Sequence, residues 1–264
     1  MAAITALQLI TSILEKSGAS NRPQTIDHVS AGDPTTPVTG IATMALPSLD
    51  CLKQAAAAGR NLILTYDPAF WSSNDSLDRL ESNSLFLEKR DFIHAHNLVC
   101  FNLHDHWRDR VPDGIAEGMA AGLGWTQYKV AGNPAAFQLP PATLLDLARD
   151  LQKRLNDPTI RVVGDPKLAV RNVAALWGNG AQMPAIQLLN TAIDVLIAGY
   201  AREWEAVEYA QDMIATGEKK GLILLGEAAS VDLGMKYCAQ WIGTFIDEVP
   251  VEFVASRSPY WGVS

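Results

Sequence analysis

The sequence predicts a two-lobed α/β protein in which mixed and parallel sheets are flanked by helices. Three short apolar runs carry this prediction, and each is followed by polar residues: Leu62–Leu64, Leu98–Leu103 and Gly221–Gly226. Apolar runs of this length between turn signals are typical of buried parallel strands. Helical patterns separate the runs, and a strand, a helix and a second strand in that order form a crossover unit with parallel strands.

Composition narrows the class of protein. The chain has 264 residues, of which 48% are hydrophobic and 19% are charged, which is ordinary for a globular protein. The net charge is −8 and Lys and Arg are not clustered, so we expect neither nucleic acid nor an anionic membrane as a partner. No apolar run approaches the length of a transmembrane helix. We therefore expect a soluble, cytoplasmic protein.

The N-terminal part of the chain contains the first crossover unit. Apolar residues at helical spacing predict a helix that ends at Gly18 rather than a signal peptide, because no basic region precedes them. Val38–Met44 is predicted to be a strand. Ser48 then has the position of an N-cap for a helix that Gly59 stops, and the run at Leu62–Leu64 follows as the next strand.

The middle of the chain differs and is predicted to be an insertion with antiparallel pairing. A leucine-rich helix is expected with Pro141 near its first turn, and two β-rich segments flank Gly164-Asp165-Pro166, which is a hairpin signature. The last third returns to alternating strands and helices. These patterns predict a first α/β lobe at 1–125, an inserted segment at 126–190 and a second α/β half at 191–264 that completes the pocket.

Six polar residues follow the three predicted strands and form the candidate site. In open α/β sheets ligands bind beyond the carboxyl ends of the strands, so we expect these side chains to converge on one pocket. The pattern predicts a site at that edge of the sheet rather than on a helix face. The six residues are Tyr66, Asp67, His104, His106, Arg108 and Glu227.

The two histidines are informative because they bracket Asp105 just past a predicted strand. If the strand geometry continues, the imidazoles of His104 and His106 point to the same side. Two imidazoles and a nearby carboxylate can bind Fe, Mn or Zn, or can transfer protons near neutral pH. The alternative is that both histidines hydrogen-bond to loop backbone.

A family resemblance covers nearly the whole chain. It is carried by four stretches: TIDHVSAGDPTTPVTGIATMALPSLDCLKQAAAAGRNLILTYDP, NLVCFNLHDHWRDRVPDGIAEGMAAGLGW, IATGEKKGLILLGEAASVDLGMKYCAQWI and VPVEFVASRSPYW. In this order they resemble the Nif-three-like dinuclear metal-centre family, whose members are also labelled GTP cyclohydrolase I type 2 homologues. The resemblance implies a two-lobed α/β fold, a toroidal homo-hexamer and two bound metal ions. It also implies hydrolase or cyclohydrolase chemistry, or metal handling.

The residues at the family's ligand positions differ from the usual donors. The resemblance places the usual pair of histidines on Tyr66 and Asp67 and the ligand after the next strand on Arg108. It places the late histidine and glutamate on Glu227 and Val231. Only Asp67 and Glu227 retain good donors, because arginine is a fixed cation that repels a metal ion. The resemblance therefore implies a degenerate metal site, in which Arg108 can replace the metal's charge between Asp67 and Glu227.

Three hypotheses for the function follow. The first is an enzyme of hydrolase, cyclase or isomerase type in which the six residues perform acid–base chemistry on a small molecule and Arg108 binds a carboxylate or an oxyanion. The second is a rebuilt mononuclear Fe, Mn or Zn centre with Asp67, His104 and Glu227 as ligands. The third is a non-catalytic toroidal scaffold or binding protein. Replacement of the usual ligands by Tyr, Arg and Glu keeps the pocket reactive, so we favour the first hypothesis.

Overall fold

The chain folds into two compact units, each with its own sheet flanked by helices. The computed structural model describes residues 3–19, 22–71, 80–179 and 182–262, except for the side chains at 179 and 182. Unit 1 comprises Met1–Gly118 and Gly234–Ser256, and unit 2 comprises Met119–Leu233 and Arg257–Ser264. The mixed α/β fold class that the sequence predicts is confirmed.

Unit 1 is built around a five-stranded sheet. Its strands are β1 (Val29–Ala31), β2 (Ile41–Met44), β3 (Leu62–Thr65), β4 (Val99–Asn102) and β11 (Val251–Phe253). They lie in the order β1-β4-β3-β2-β11. β4, β3, β2 and β11 are parallel, and β1 pairs antiparallel with β4 at one edge. The carboxyl ends of β3 and β4 therefore meet at the same edge of the sheet.

Every residue of β2, β3 and β4 is buried, as is typical of parallel strands in α/β sheets. The helices wholly within unit 1 are α1 (Ala6–Ser17), α2 (Leu49–Ala57), α3 (Ser84–Ala95) and α4 (Asp105–Asp109). The division between the units falls within α5 (Gly114–Gly122) and α9 (Glu227–Ile242). None of the helices in the described part of the chain is long and apolar enough to cross a membrane.

Local sequence signals place the first helices as predicted. Thr5 and Gln8 form a capping box at the start of α1, and Gly18 ends this helix with a φ of +65° that glycine adopts without strain. The hydroxyl of Ser48 accepts a hydrogen bond from the N–H of Cys51 and caps α2. These caps satisfy backbone groups that would otherwise lack partners at the helix ends.

Unit 2 is built around a six-stranded mixed sheet. Its strands are β5 (Lys129–Val130), β6 (Asn133–Thr143), β7 (Arg161–Val163), β8 (Ala169–Asn179), β9 (Val195–Tyr200) and β10 (Gly221–Leu224), in the order β5-β6-β8-β9-β10-β7. Its helices are a 3₁₀ turn (Thr126–Tyr128), α6 (Leu144–Leu155), α7 (Gln182–Leu189), a π-helical turn (Glu203–Val207) and α8 (Glu208–Ala215).

The structure divides the chain differently from the predicted lobes at 1–125, 126–190 and 191–264. The expected insertion and the start of the last third share one sheet, because β8 pairs with β9 in parallel register, Val173 beside Val195. The final strand β11 pairs with β2 in unit 1 instead of with β10. Alternation of strands and helices predicts the elements, but it does not tell which sheet takes a strand.

Two local predictions in the middle segment are wrong. Gly164 does make a turn, with a φ of +128°, but β7 pairs antiparallel with β10 rather than with β8, so the two segments form no hairpin. Pro141 lies in β6, and α6 begins only after Thr143, whose hydroxyl caps it by accepting from the N–H of Asp146. The better N-cap outweighs the preference of proline for a first helical turn.

Candidate active site

Tyr66 and Asp67 lie directly beyond β3, at the carboxyl edge of the unit 1 sheet. Their N–H groups continue the pairing of β3 with β2 by donating to the carbonyl oxygens of Met44 at 3.2 Å and Ala45 at 3.1 Å. This pairing fixes the backbone of both residues past the end of the strand. Tyr66 is buried and Asp67 is half-buried. Both therefore lie at the edge where α/β sheets bind ligands.

His104 reaches the same edge from β4. The N–H of Leu103 donates to the carbonyl oxygen of Thr65 at 2.7 Å, which keeps the chain beside β3. The rings of Tyr66 and His104 are 4.4 Å apart between centroids and tilted by 44°. The imidazole also acts electrostatically on Asp67. Tyr66, Asp67 and His104, three of the six predicted site residues, are thus brought together.

The carboxyl group of Asp67 has a raised pKa. Burial raises the pKa because the charged form loses hydration, and the nearby imidazole of His104 opposes the shift through its charge. The carboxyl group therefore holds its proton to a higher pH than an exposed aspartate does. A carboxyl group with a raised pKa is better suited to act as a general acid than an exposed aspartate is.

A buried carboxylate orients the ring of His104. Its Nδ1 lies 3.1 Å from Oδ1 of Asp105, whose side chain is 7% exposed. Asp105 also accepts hydrogen bonds at 3.0 Å from the guanidinium of Arg22, the hydroxyl of Thr25 and the N–H of Ile26. Burial opposes ionisation of Asp105, but these hydrogen bonds and the charge of Arg22 outweigh it and hold the pKa below its usual range. Because Nδ1 is bound to this carboxylate, Nε2 is the ring nitrogen available for chemistry.

Asp27 is a site-supporting residue that the sequence analysis missed. Its carboxylate, 1% exposed, accepts from the N–H groups of His104 at 2.8 Å, Asp105 at 2.7 Å and His106 at 2.9 Å. It therefore caps α4 from a distant part of the chain, since the side chain of His104 at the N-cap position makes no capping bond. The available signal was a helix start that lacks Ser, Thr, Asn or Asp at its N-cap.

The edge strand β1 explains how Asp27 reaches α4. The N–H of Asn102 donates to the carbonyl oxygen of His28 at 2.9 Å, and its side-chain amide donates to the carbonyl oxygen of Ile26 at 3.0 Å. These bonds hold the segment before β1 against the end of β4. Asp27 lies between the two bonded residues and thus faces the first turn of α4.

His106 does not lie on the same extended segment as His104. β4 ends at Asn102 and α4 starts at Asp105, so the expectation that strand geometry continues is wrong. The Nδ1 of His106 lies 2.8 Å from Oδ2 of Asp27. Both imidazoles therefore contact carboxylates through Nδ1, which differs from the alternative in which they bond to loop backbone.

Arg108 forms an ion pair within unit 1. Its Nε lies 3.3 Å from Oδ2 of Asp113, which also caps α5 by accepting from the N–H groups of Ile115 and Ala116. Burial raises the pKa of Asp113, and the charge of Arg108 and these two backbone bonds oppose the shift. The predicted pairing of Arg108 with Asp67 and Glu227 stays a prediction.

Glu227 belongs to unit 2. It begins α9 shortly after β10 and is half-buried, and Val231, one turn later, is fully buried. The predicted role of Glu227 in the site of unit 1 stays a prediction.

A cavity of about 390 Å³ opens beside Asp67. Most of its wall is apolar, and its polar side chains come from Ser48, Asp67 and Lys89. The apolar wall consists of Leu46, Pro47, Pro68, Ala69, Phe70 and Trp71. A largely apolar pocket with a few polar groups is the usual form of a small-molecule site.

Lys89 is the second residue that the sequence analysis missed. It is 3% exposed and shares the buried face of α3 with Phe86 and Ile93. Its ammonium group donates to the carbonyl oxygen of Ala69. The desolvation that accompanies burial lowers the pKa of Lys89 to about 8. The signal in the sequence was a lysine at a helical position that is otherwise apolar, but the adjacent apolar residues in SLFLEKRDFIHA left the buried face ambiguous.

The residues present do not fit the dinuclear centre that the resemblance implies. At the five ligand positions, Val231 has no donor atom and Arg108 carries a positive charge that already binds Asp113. Throughout the described residues, no group of three or more His, Cys, Asp or Glu side chains is placed to hold a metal ion.

The fold and the site define a two-unit α/β protein with ionisable side chains at the carboxyl ends of parallel strands in unit 1. The chain belongs to the family described as Duf34/NIF3 (NGG1p interacting factor 3), whose sequence profile matches residues 5–218. The family resemblance drawn from the sequence is thus confirmed. A comparison with curated protein sequences gave no match.

Solved structures share the fold over almost the whole chain. A Bacillus cereus protein related to NIF3 is 13% identical, with a TM-score of 0.78 over 100% of both chains. Staphylococcus aureus protein SA1388 is 18% identical, with a TM-score of 0.71 over 98% of this chain and 99% of that chain. Reduced HcgD from Methanocaldococcus jannaschii is 13% identical, with a TM-score of 0.68 over 96% of this chain and 99% of that chain. At these identities the similarity establishes the fold alone.

Proposed function

We propose that this NIF3-family chain is an enzyme that acts on a small molecule by general acid–base chemistry in unit 1. The observation that carries the proposal is that Asp67, which has a raised pKa, lies within electrostatic reach of His104, which a buried carboxylate orients. Both lie at the carboxyl edge of a parallel sheet, and Asp67 lines a cavity of about 390 Å³. The reaction is of hydrolase, cyclase or isomerase type, since each requires one group to donate a proton and another to accept one.

The two groups have different roles. The carboxylic acid of Asp67 donates its proton to the leaving or carbonyl oxygen of the substrate. Nε2 of His104 accepts a proton from the attacking water or from a carbon, and the ionised Asp105 stabilises the imidazolium that forms. Tyr66 packs its ring against His104 and limits the orientations of the imidazole. The largely apolar wall of the cavity beside Asp67 suits a substrate with apolar groups.

The other predicted site residues support the geometry. His106 and the backbone of α4 bind to the carboxylate of Asp27, which fixes the first turn of that helix. Arg108 binds Asp113, and we propose that this pair positions α4 and α5. In this scheme His106 and Arg108 are positioning residues. The catalytic role that the sequence predicts for Glu227 remains a proposal.

We further propose that the family's metal centre is degenerate and that this chain works without it. The alternative is a mononuclear Fe, Mn or Zn centre with Asp67, His104 and Glu227 as ligands. The carboxylate that orients His104 supports this alternative, because metal-bound histidines often donate their second ring N–H to a carboxylate. Elemental analysis of protein purified without an affinity-metal step separates the two. Metal well below one equivalent per chain is expected, and one equivalent that survives dialysis would contradict the proposal.

Assembly as a homo-hexamer in the cytoplasm is also proposed, on the basis of the resemblance. Light scattering of the purified chain measures the mass directly. We expect a mass of about six protomers at micromolar concentration. A stable monomer would contradict the ring, and it would leave the acid–base proposal intact because that site lies within unit 1.

Loss of turnover in two variants tests the acid–base proposal. The purified protein is incubated with the small-molecule fraction of a cell extract, and consumption of each compound is followed by mass spectrometry. We expect at least one compound to be consumed. Asp67→Asn and His104→Asn are expected to slow its consumption about 100-fold, in line with the usual contribution of one acid or base.

A histidine outside the site provides the control. His94 is exposed near the end of α3, so His94→Asn should leave the rate of consumption unchanged. If no compound is consumed, or if all three variants consume it at the wild-type rate, the chain is not an acid–base enzyme of this kind. The scaffold or binding-protein hypothesis would then take precedence.

A further inference from the structure

Lys89 is placed as a reactive amine rather than as a surface charge. Its side chain is 3% exposed, yet it lines the cavity beside Asp67. Burial removes hydration from its ammonium group, and no carboxylate among the described residues forms an ion pair with it. A lysine in such surroundings loses its proton more readily than an exposed one, and its pKa is lowered to about 8.

The contacts of the amine leave it able to react. The nitrogen donates to the carbonyl oxygen of Ala69 and lies 5.8 Å from the ring centroid of Phe70 and 5.4 Å from that of Trp71. A neutral amine has two N–H bonds and one lone pair. When one N–H bond is directed at Ala69, the lone pair is still available to attack an electrophile in the cavity.

The cavity wall defines the class of ligand. Six of its nine residues are apolar, and the polar ones offer a hydroxyl, a carboxyl and an amine. We propose that Lys89 binds an aldehyde or ketone with an apolar substituent as a covalent imine in this cavity. The inference rests on the proposed function and deepens it, because it names the substrate class of the same site.

The step balances with the groups present. The Nζ lone pair of Lys89 attacks the carbonyl carbon and forms a C–N bond, while the carbonyl oxygen takes up a proton. The resulting carbinolamine loses water as the nitrogen forms a C=N bond. Overall one amine, one carbonyl compound and one proton give an iminium ion and water. The carboxyl group of Asp67 on the same cavity wall can supply the proton.

Lys220 is a matched control within the same chain. It is also buried, at 9% exposed, and its ammonium group donates to the carbonyl oxygens of Thr191 and Ile193, both at 2.7 Å. Its two short hydrogen bonds give it a structural role. Lys53, which is exposed on α2, represents an ordinary surface lysine.

Reductive trapping tests the inference on the wild-type protein. Phenylacetaldehyde and sodium cyanoborohydride are added at pH 7.5, and alkylation of each lysine is followed by peptide mass spectrometry. Lys89 should be modified at least about tenfold faster than Lys53 and Lys220, because a larger fraction of its amine is neutral. Modification of Lys89 no faster than that of Lys53 would overturn the inference.

A competitor separates recognition by the cavity from amine reactivity alone. 2-Phenylethanol has the apolar group of the probe but no carbonyl carbon. It should slow the modification of Lys89 several-fold and leave Lys53 unaffected. If it slows neither lysine, the cavity does not recognise the apolar substituent and the proposed ligand class is wrong.

The outcome is distinguishable from that of the proposed function. Trapping at Lys89 should persist in His104→Asn, which loses turnover if the acid–base proposal holds. Turnover without trapping would overturn the imine and leave the acid–base proposal standing. Trapping at Lys89 without turnover of any compound would overturn the acid–base proposal and leave the imine standing.

Discussion

The two sheets differ in the residues found at the carboxyl ends of their central parallel strands. In unit 1, β3 and β4 lead into Tyr66, Asp67 and His104, whose side chains meet at the sheet edge. In unit 2, Gly199 lies near the end of β9 and Gly226 lies just beyond β10, and the N–H of Gly226 donates to the carbonyl oxygen of Gly199 at 2.6 Å. The first edge brings ionisable side chains together, whereas at the second the main chains of Gly199 and Gly226 are joined directly, with Glu227 as the next residue.

Ser230 lies beside Gly199 at this edge of the unit 2 sheet. It is fully buried, and its hydroxyl accepts from the N–H of Gly178 at 3.1 Å and donates to the carbonyl oxygen of Glu227 at 2.7 Å. A Cβ atom at Gly199 would overlap the carbonyl oxygen of Gly178 and this hydroxyl. The main chain of Gly178 and the hydroxyl of Ser230 therefore leave no room for a side chain at Gly199.

The ends of parallel strands can therefore serve either chemistry or packing. Asp67 and Lys89 both have pKa shifts caused by burial, so the fold gives up stability to keep them in the unit 1 cavity. In unit 2 the buried Lys220 has two carbonyl partners and adds to stability. Substitution of the buried lysine in each unit should therefore have opposite effects on stability.

The largest loss of stability is expected for Asp27→Ala in unit 1. The substitution removes a carboxylate that accepts hydrogen bonds from three backbone N–H groups and contacts Nδ1 of His106. This carboxylate is 1% exposed. The free energy of unfolding, measured by urea denaturation, should fall by about 4 kcal/mol, the sum expected for a helix cap and a buried charged hydrogen bond. Asp27→Asn keeps one acceptor oxygen and should lose about half as much.

A loss below about 1 kcal/mol would show that Asp27 does not hold α4. This result would also weaken the comparison, since the unit 1 edge would then lack a rigid support. NMR signals of His104 and His106 in the variant report whether the two rings have moved.

The next largest effect is expected for Gly199→Ala in unit 2. The added methyl group overlaps Gly178 and Ser230, and overpacking of this kind typically costs about 3 kcal/mol. The turnover per folded molecule should stay at the wild-type level, because the residue serves packing. Gly243→Ala is the matched control, since its added Cβ would lie 3.5 Å from the nearest atom and should change stability by less than about 0.5 kcal/mol. Equal stability of the two variants would contradict the close packing at Gly199.

Substitution of the buried lysines is expected to have a smaller effect on stability, with opposite signs in the two units. Below pH 8 Lys89 is charged in both the folded and the unfolded chain, and the folded chain bears the cost of desolvation. Lys89→Met should therefore raise the free energy of unfolding at pH 7 by about 2 kcal/mol, after about 1 kcal/mol is subtracted for the lost bond to Ala69. The gain should fade as the pH rises from 8 to 10.5, because wild-type Lys89 is then neutral in the folded state.

Lys220→Met in unit 2 should instead lose stability at pH 7, by about 2 kcal/mol for two hydrogen bonds. Urea denaturation of both variants at pH 7 and pH 10 measures the contrast. A loss for Lys89→Met at pH 7 as large as that for Lys220→Met would mean that both lysines are structural.

Sequence patterns predicted the elements of the fold better than their pairing. Apolar runs and caps placed β3, β4, β10, α1 and α2, because these signals are local. The pairing of β7 with β10 and the return of β11 to β2 depend on contacts between residues far apart in the chain. No local signal records such contacts, so the predicted hairpin and the predicted lobes differ from the structure.

The candidate site, like the fold, was only partly predictable from the sequence. Tyr66, Asp67 and His104 follow strands that are adjacent in the sheet, so their position could be inferred from the order of strands and helices. Asp27 and Lys89 could not be inferred in this way. Asp27 acts through a cap formed across the edge strand, and Lys89 depends on which face of α3 is buried.

The smallest effect is expected for Asp67→Asn and reports the raised pKa directly. In the unfolded chain the carboxyl group ionises near pH 4, and in the folded chain it ionises at a higher pH because burial disfavours the charge. The folded state is therefore penalised at pH 7, and this penalty disappears as the pH falls through the raised pKa toward 4. Asp67→Asn should be more stable than the wild type at pH 7 and should lose this advantage at pH 4, as measured by the thermal midpoint at each pH.

Asp105→Asn provides the opposite sign within the same site. Its carboxyl group has a lowered pKa, so it stabilises the folded state at pH 7 and loses that contribution as the pH falls through the lowered value. The variant should be less stable than the wild type at pH 7, and the difference should shrink in acid. If Asp67→Asn were also less stable at pH 7, Asp67 would be a structural carboxylate and the contrast between the two sheet edges would fail. Stabilisation together with loss of turnover is the result that marks Asp67 as a group kept for chemistry.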